Sequence, residues 1–124
     1  MVVLDTNILI AYFNGDERIA NRFIKWRKTG VRFFISVITE IELSSLPKLT
    51  SSELTIIQNL VREFTIIPLD SQLGKLTADL RRQTSLSLGD SVIVATAELT
   101  GARLATRDKN IIKKARRFVV IEEI

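Results

Sequence analysis

Short apolar runs alternate along the whole chain with longer stretches of helical periodicity. The runs have the length of buried strands, and each is followed by a polar residue or a proline. The third run ends before Pro68, so its strand is expected near an edge of the sheet. Five strands are predicted, over residues 2–4, 32–35, 64–67, 103–105 and 118–121.

Between these runs, apolar residues recur at the spacing of a helix. In residues 17–28 they alternate with basic residues, and Gly30 is expected to end that helix. Its predicted packed face contains Ile19, Phe23, Ile24 and Trp26. Ser36 is a predicted N-cap. Helices are predicted from residue 8 to a break at residues 14–15, and over residues 17–28, 36–45, 52–63, 71–83, 90–99 and 109–116.

Strands that are separated by helices over the whole length imply a parallel sheet with helices on both faces. We therefore predict an α/β fold, a three-layer α/β/α domain with a central parallel sheet of about five strands. No repeat or linker interrupts residues 1–124, so one domain is expected. Ligands of such sheets bind outside the carboxyl ends of the strands, where the strand order reverses.

The absence of cysteine and histidine narrows the chemistry that is available. It excludes thiolate and imidazole metal sites and nucleophiles that depend on a histidine base. Catalysis would then rest on carboxylates, hydroxyls, Lys, Arg or a bound ion, and oxygen ligands favour Mg²⁺ or Mn²⁺.

The net charge of +4 is compatible with a polyanionic partner such as RNA. No apolar run approaches the ~20 residues of a membrane helix, so a cytoplasmic location is expected.

Four carboxylates lie at or near the predicted carboxyl edge of the sheet. Asp5 directly follows the first strand, Asp108 follows the fourth, and Asp90 opens the helix before the fourth. These three aspartates could instead be helix caps, and Glu42, two turns into its helix, could be a solvated surface residue. Taken together they favour a metal site, because a divalent cation offsets their mutual repulsion. Such an ion suits phosphodiester hydrolysis.

Four short motifs follow one another along the chain. They are Asp5-Thr6-Asn7, Ser36-x-x-Thr39-x-x-Glu42-Leu43, Leu88-Gly89-Asp90-Ser91-x-Ile93-x-Ala95-Thr96-Ala97 and Leu104-Ala105-Thr106-Arg107-Asp108. In this order and spacing they resemble the motifs of PIN-domain nucleases, and in particular of VapC-type toxin ribonucleases. Residues 47–86 carry no signature of this kind.

The resemblance implies a sandwich of helices around a parallel sheet and endonucleolytic cleavage of RNA that depends on Mg²⁺ or Mn²⁺. It implies that Asp5, Glu42, Asp90 and Asp108 are the catalytic metal ligands. It also implies a homodimer and a cognate antitoxin whose tail masks the acidic site.

Two polar residues match family positions that support the ligands. Thr106 matches a hydroxyl residue that supports the last acid, and Asn7 matches a residue that orders the site around Asp5. The alternatives are a strand-end threonine and a helix-start asparagine. Many relatives carry a further acid where this chain has Asn110, so a second metal ion would be held less firmly here.

Basic residues cluster near the C-terminus, next to Asp108, and they are Arg103, Arg107, Lys109, Lys113, Lys114, Arg116 and Arg117. Phosphate contacts from such a cluster would hold RNA without reading its sequence. The alternative for each residue is a solvated helix face. The candidate RNA-binding residues are Arg107, Lys109 and Lys113. Trp26 and Tyr12 could stack on bases, although helical spacing favours a core position for Trp26.

Two other functions remain open at this stage. A housekeeping PIN nuclease in RNA processing would share the chemistry but have no antitoxin, and an isolated gene would favour it. A non-enzymatic receiver-like module also gathers acids at the carboxyl edge of a parallel sheet. Receivers carry their phosphate-accepting aspartate after the third strand, and here that strand leads into Pro68-Leu69-Asp70, which fits poorly.

Overall fold

A five-stranded parallel sheet forms the centre of the protein in a computed structural model that describes all residues 1–124. The strand order is β3-β2-β1-β4-β5, and every neighbouring pair is parallel. This confirms the predicted sheet and the position of the third strand at an edge. The strands are β1 (Val2–Leu4), β2 (Phe33–Ser36), β3 (Thr65–Ile67), β4 (Arg103–Thr106) and β5 (Ile121–Glu123).

The strand order reverses between β1 and β4. The chain first builds outward from β1 through β2 to β3, and then returns to add β4 and β5 on the other side. In the register between the two central strands, Leu4 pairs with Ala105. The carboxyl ends of β1 and β4 therefore lie side by side at the switch point, where sheets of this kind leave a crevice.

Seven helices connect the strands. The α4 helix begins one residue earlier than predicted, because Thr50 is its N-cap. Thr50 and Glu53 form a capping box, in which each side chain accepts a hydrogen bond from the backbone N–H of the other residue. The helices are α1 (Thr6–Phe13), α2 (Glu17–Lys28), α3 (Val37–Ser44), α4 (Ser51–Val61), α5 (Ser71–Thr84), α6 (Leu88–Thr100) and α7 (Lys109–Ala115).

Two hydrophobic cores lie on opposite faces of the sheet. Because successive strand residues point to opposite faces, Val3 belongs to one core and Leu4 to the other. The core that contains Val3 is covered by α5, α6 and α7. The core that contains Leu4 is covered by α1, α2, α3 and α4. This arrangement confirms the three-layer α/β/α fold. No helix is both long enough and apolar enough to cross a membrane.

Two details of the predicted pattern are wrong. The fifth strand was expected over residues 118–121 but begins at Ile121. The Ala115 carbonyl accepts hydrogen bonds from the N–H groups of Phe118 and Val119, so a turn occupies the start of the predicted strand. Ile24 is exposed, although helical spacing placed it on the packed face of α2. Its neighbour Phe23 fills that core instead.

Candidate active site

Asp5 lies at the end of β1, next to the end of β4 at the switch point, and we call this edge of the sheet the acidic crevice. Its side chain is 3% exposed, and its Oδ2 accepts a hydrogen bond of 2.7 Å from the Thr106 hydroxyl. Asp5 occupies the N-cap position of α1, but its side chain makes no capping hydrogen bond. The alternative explanation of Asp5 as a helix cap is therefore wrong.

Thr106, the last residue of β4, connects the two strand ends. Its hydroxyl donates to Asp5 and accepts a 3.0 Å hydrogen bond from the backbone N–H of Asp108. The backbone adds a third link, because the N–H of Asp5 donates to the Ala105 carbonyl at 3.0 Å. Thr106 is fully buried, so its hydroxyl fixes Asp5 and the turn that carries Asp108 relative to each other.

Asp108 caps α7. Its Oδ1 accepts hydrogen bonds from the backbone N–H groups of Asn110, at 2.8 Å, and Ile111, at 3.1 Å. The capping alternative therefore holds for this aspartate. Its second oxygen, Oδ2, accepts no hydrogen bond from the protein, and the side chain is only partly buried. One oxygen is thus used by the fold, while the other is free to bind a ligand.

Asp90 lies in the first turn of α6 but does not cap it. The cap is Ser87, whose hydroxyl accepts a 3.2 Å hydrogen bond from the backbone N–H of Asp90. The helix begins at Leu88, so the prediction that Asp90 opens it is wrong by two residues. A negative side chain in the first turn still interacts favourably with the helix dipole. The Asp90 carboxylate is partly buried beside the crevice.

Glu42 is oriented by the Thr6 hydroxyl, which also contacts the hydroxyl of Thr39. The Thr6 hydroxyl donates to Glu42 Oε1 at 2.8 Å and lies 3.0 Å from the Thr39 hydroxyl. Glu42 itself is exposed, as the surface alternative expected, but its orientation is fixed by the residue that follows Asp5. Glu42 is thereby linked to the end of β1, while it takes no part in the pKa shifts of the aspartates.

Thr6 is a site residue that the sequence analysis missed. The predicted supporting residue was its neighbour Asn7, which is exposed and whose side chain makes no hydrogen bond within the protein. The role of Asn7 stays a prediction. The signal for Thr6 was present in the sequence, since a hydroxyl directly follows the first acid and another, Thr39, lies one turn before Glu42.

The charges of Asp5, Asp90 and Asp108 act on one another. The pKa of Asp5 is raised to about 6, chiefly by burial and in addition by the charges of Asp90 and Asp108, while the Thr106 hydrogen bond opposes the shift. Burial also raises the pKa of Asp90, with the charge of Asp108 adding to the effect. The crevice therefore gathers carboxylates that disfavour one another's ionised form.

The donor set of this crevice fits a hard divalent cation. All the candidate ligands are carboxylates, and a cation would offset the repulsion that raises the pKa of Asp5. No three acidic side chains are grouped closely enough to hold one ion by themselves. Mg²⁺ ordinarily keeps several waters and takes one or two protein carboxylates plus substrate phosphates, so a three-acid cage is unnecessary.

The basic residues beside the crevice differ in whether their side chains have partners within the protein. The Arg107 guanidinium donates to Asp16 at 2.8 Å and to the Ile124 carbonyl at 3.2 Å, so it fastens this turn to α2 and to the last residue. Lys109 and Lys113 are exposed and have no carboxylate partner within 4.0 Å.

The aromatic candidates for base stacking belong to the core. Trp26 is buried, with its ring centroid 5.3 Å from that of Phe23, and the ring centroid of Tyr12 lies 4.5 Å from that of Phe23. The expectation that Trp26 is a core residue is confirmed.

The PIN domain family matches residues 2–117 of this sequence. The chain belongs to the PIN-domain family. Ribonuclease VapC10 of Mycobacterium tuberculosis is 27% identical to this PIN domain over 111 residues, which cover 86% of this chain and 81% of that protein.

Solved toxin–antitoxin complexes share the architecture of this PIN domain. A toxin–antitoxin complex from Klebsiella pneumoniae aligns at a TM-score of 0.79 and 28% identity, with 90% of each chain covered. A chain of VapBC2 from Rickettsia felis, bound to a DNA fragment from the promoter, aligns at a TM-score of 0.83 over 100% of this chain and 99% of its own. At 21% identity, the second likeness shows the fold alone. Membership of the PIN family argues against the receiver-like alternative.

Proposed function

We propose that this PIN domain is a metal-dependent endoribonuclease and the toxin of a type II toxin–antitoxin pair. One observation carries the catalytic part of the proposal. The fold buries the carboxylate of Asp5 at the switch point, gives it no capping role, and sets two further aspartates beside it. If Asp5 served only to stabilise the fold, we would expect its carboxylate to cap α1, as the carboxylate of Asp108 caps α7.

The proposed ligands of Mg²⁺ or Mn²⁺ are Asp5, Asp90, Asp108 and Glu42. When bound, a divalent cation supplies charge stabilisation for phosphodiester hydrolysis. The chain's own contribution is to position the ligands. Thr106 orients Asp5 through Oδ2, and Thr6 orients Glu42 through Oε1.

RNA is the proposed substrate and an antitoxin the proposed partner. The similarity to Ribonuclease VapC10 supports RNA, and the likeness to the Klebsiella pneumoniae complex supports a partner chain. The proposed phosphate contacts come from Lys109 and Lys113, and from Arg107 only if its bond to Asp16 opens. A homodimer and an antitoxin tail that covers the acidic crevice complete the proposal.

RNA cleavage with and without divalent metal tests the catalytic part. Purified wild type should cut a mixed RNA pool in Mn²⁺ or Mg²⁺ and lose this activity in EDTA. Asp5→Asn and Asp90→Asn should each be slower by a factor on the order of a thousand, because each removes a ligand charge while keeping side-chain shape. Cleavage that resists EDTA, or variants as fast as wild type, would refute the metal-site assignment.

The matched control is Asp79→Asn, which removes one exposed carboxylate on α5 outside the crevice. It should cut as fast as wild type. If it were as slow as Asp5→Asn, the loss would reflect general instability rather than the removal of a ligand.

A further inference from the structure

A basic pocket lies between the C-terminal ends of α5 and α7, and we call it the α5–α7 pocket. Its cavity measures about 510 Å³, and neither a carboxylate nor an apolar side chain lines it. The lining residues are Gln83, Thr84, Lys113, Lys114, Arg116 and Arg117. The function proposed above uses only Lys113 from this set.

The four cations of the α5–α7 pocket have no acidic partners. None of them has a carboxylate oxygen within 4.0 Å. Elsewhere in the chain, Arg22, Arg27 and Arg107 each have a carboxylate partner at 2.8 to 2.9 Å. The fold therefore neutralises several of its arginines but leaves four positive charges together around one cavity.

Helix dipoles do not account for this charge. The pocket lies at two helix C-termini, and each contributes roughly half a negative elementary charge. Against four cations this leaves roughly three positive charges without compensation. Like charges held together in this way destabilise the folded protein unless an anion binds between them.

One side of the pocket is already organised. The Arg117 guanidinium lies 4.7 Å from the Phe118 ring centroid and donates a 3.2 Å hydrogen bond to the Gln83 carbonyl. Thr84 on the facing helix is buried, and its hydroxyl donates to the Leu80 carbonyl at 2.6 Å. These contacts fix one wall, whereas the exposed side chains of Lys113 and Arg116 remain free to close on a ligand.

The pocket lies beside the acidic crevice along the chain. Asp108 caps the start of α7, a helix about 10 Å long, and Lys113 and Lys114 in the second half of that helix line the pocket. On the other wall, Thr84 leads through a short link to Ser87 and Asp90. A strand of RNA in the crevice can therefore reach the pocket within a short length of backbone.

We infer that the α5–α7 pocket is a phosphate-binding subsite for the RNA backbone, away from the bond that is cut. The inference rests on the proposed function. Lysine provides a point charge and arginine a fork of donors, and both bind phosphate oxygens. Contacts of this kind hold the strand in register and are independent of base sequence.

RNA binding in the absence of metal tests the subsite without relying on catalysis. The probe is a fluorescently labelled single-stranded RNA of mixed sequence, and the readout is its anisotropy in EDTA over a range of salt concentrations. The test variant is Lys114→Ala/Arg116→Ala, which removes two pocket cations that are not among the phosphate contacts proposed above. The control is Lys25→Ala/Lys28→Ala, which removes the same charge from exposed, unpaired residues in the last turn of α2.

The pocket variant should bind roughly ten- to thirtyfold more weakly than wild type near 0.1 M salt, because two phosphate contacts are lost. Its plot of log affinity against log salt should be shallower by about 1.4, since each lost contact to a single strand removes about 0.7. The control variant should keep the affinity and the slope of wild type. Thermal melts should show that both variants fold.

Three results would overturn the inference. The first is a pocket variant with the affinity and slope of wild type, and the second is a control that loses as much as the pocket variant. The third is an acidic glutamate peptide that binds the pocket more tightly than RNA does, which would make it a docking site for protein. The proposed function fails separately, if wild type binds RNA through the pocket but does not cut it with Mg²⁺ or Mn²⁺.

Discussion

The ends of β1 and β4 make an instructive comparison, because each neighbouring strand leads to an aspartate that precedes a helix. At the end of β4, Asp108 accepts hydrogen bonds from two N–H groups at the start of α7. At the end of β1, Asp5 makes no capping bond and is buried with Thr106 as its side-chain donor.

The difference shows which carboxylate the fold uses and which it leaves for a ligand. Asp108 uses its Oδ1 to accept hydrogen bonds from two backbone N–H groups at the start of α7, which stabilises that helix end. The surroundings of Asp5 disfavour its ionised form, because burial and two neighbouring aspartates raise its pKa to about 6. A bound cation would reverse that balance at Asp5, whereas Asp108 contributes to folding with or without an ion.

The largest expected effect is on the pH dependence of stability in EDTA. Because the pKa of Asp5 is about 6 in the folded protein and 3.8 in the unfolded chain, the folded state holds the extra proton between these values. The protonated Asp5 carboxyl therefore favours the folded state at low pH. This contribution to the free energy of unfolding is lost progressively as the pH rises from 3.8 through about 6. Between roughly pH 4.5 and pH 7.5 the loss should be about 2 kcal/mol of unfolding free energy.

Asp5→Asn should lack this component, and urea unfolding of both proteins across that pH range would show it. If the two proteins had the same pH dependence, Asp5 would not be the carboxylate that the crevice destabilises.

Removing the hydroxyl that joins the two strand ends should have the next largest effect. Thr106→Val deletes the donor to Asp5 and the acceptor of the Asp108 N–H, and should lower the unfolding free energy by about 1.5 kcal/mol. It should also raise the pKa of Asp5 further, because the Thr106 hydrogen bond lowers it. Thr106→Ser keeps the hydroxyl and should stay closer to wild type. If Thr106→Val were as stable as Thr106→Ser, the hydrogen bonds of the Thr106 hydroxyl would contribute little to stability.

Loss of the cap at Asp108 should cost somewhat less. Asp108→Ala removes both hydrogen bonds to the start of α7 and should lower the unfolding free energy by about 1 kcal/mol in EDTA. Asp108→Asn retains a capping oxygen and should recover most of that loss. Denaturant melts of the two variants separate capping from charge. An Asn variant as unstable as the Ala variant would mean that the charge, not the cap, is what Asp108 contributes.

The smallest effect is expected at Asp90. The dipole of α6 favours its charge, but burial and the charge of Asp108 raise its pKa, so the ionised form is on balance disfavoured. Asp90→Asn in EDTA should leave the unfolding free energy within about 0.5 kcal/mol of wild type, or raise it. A loss well above that range in thermal melts would indicate a structural role for Asp90.

Much of the fold could be predicted from the sequence, because hydrophobic periodicity reports local structure and burial directly. The parallel sheet and the placement of Asp5 and Asp108 at one edge follow from strands that alternate with helices. The start of β5 could not be predicted in this way, because the turn at Ala115 depends on backbone hydrogen bonds that apolar residues such as Phe118 and Val119 do not signal.

The finer arrangement of the site depended on tertiary contacts. Sequence reasoning gave all three aspartates the same capping alternative, and only the geometry separated Asp108 from the other two. The hydrogen bond from Thr6 to Glu42 joins residues on two helices, and the ion pair of Arg107 with Asp16 joins a strand end to α2. Such pairings depend on helix packing, which a pattern along one chain does not specify.

Calorimetric titration with Mn²⁺ is the most direct test that Asp5, whose side chain the fold leaves without a capping role, is a ligand for a cation. We predict that wild type binds Mn²⁺ near neutral pH and that Asp5→Asn loses most of this affinity, while both stay folded. Asp79→Asn, with an exposed carboxylate removed elsewhere, should bind like wild type. Equal affinity of wild type and Asp5→Asn for Mn²⁺ would contradict the account.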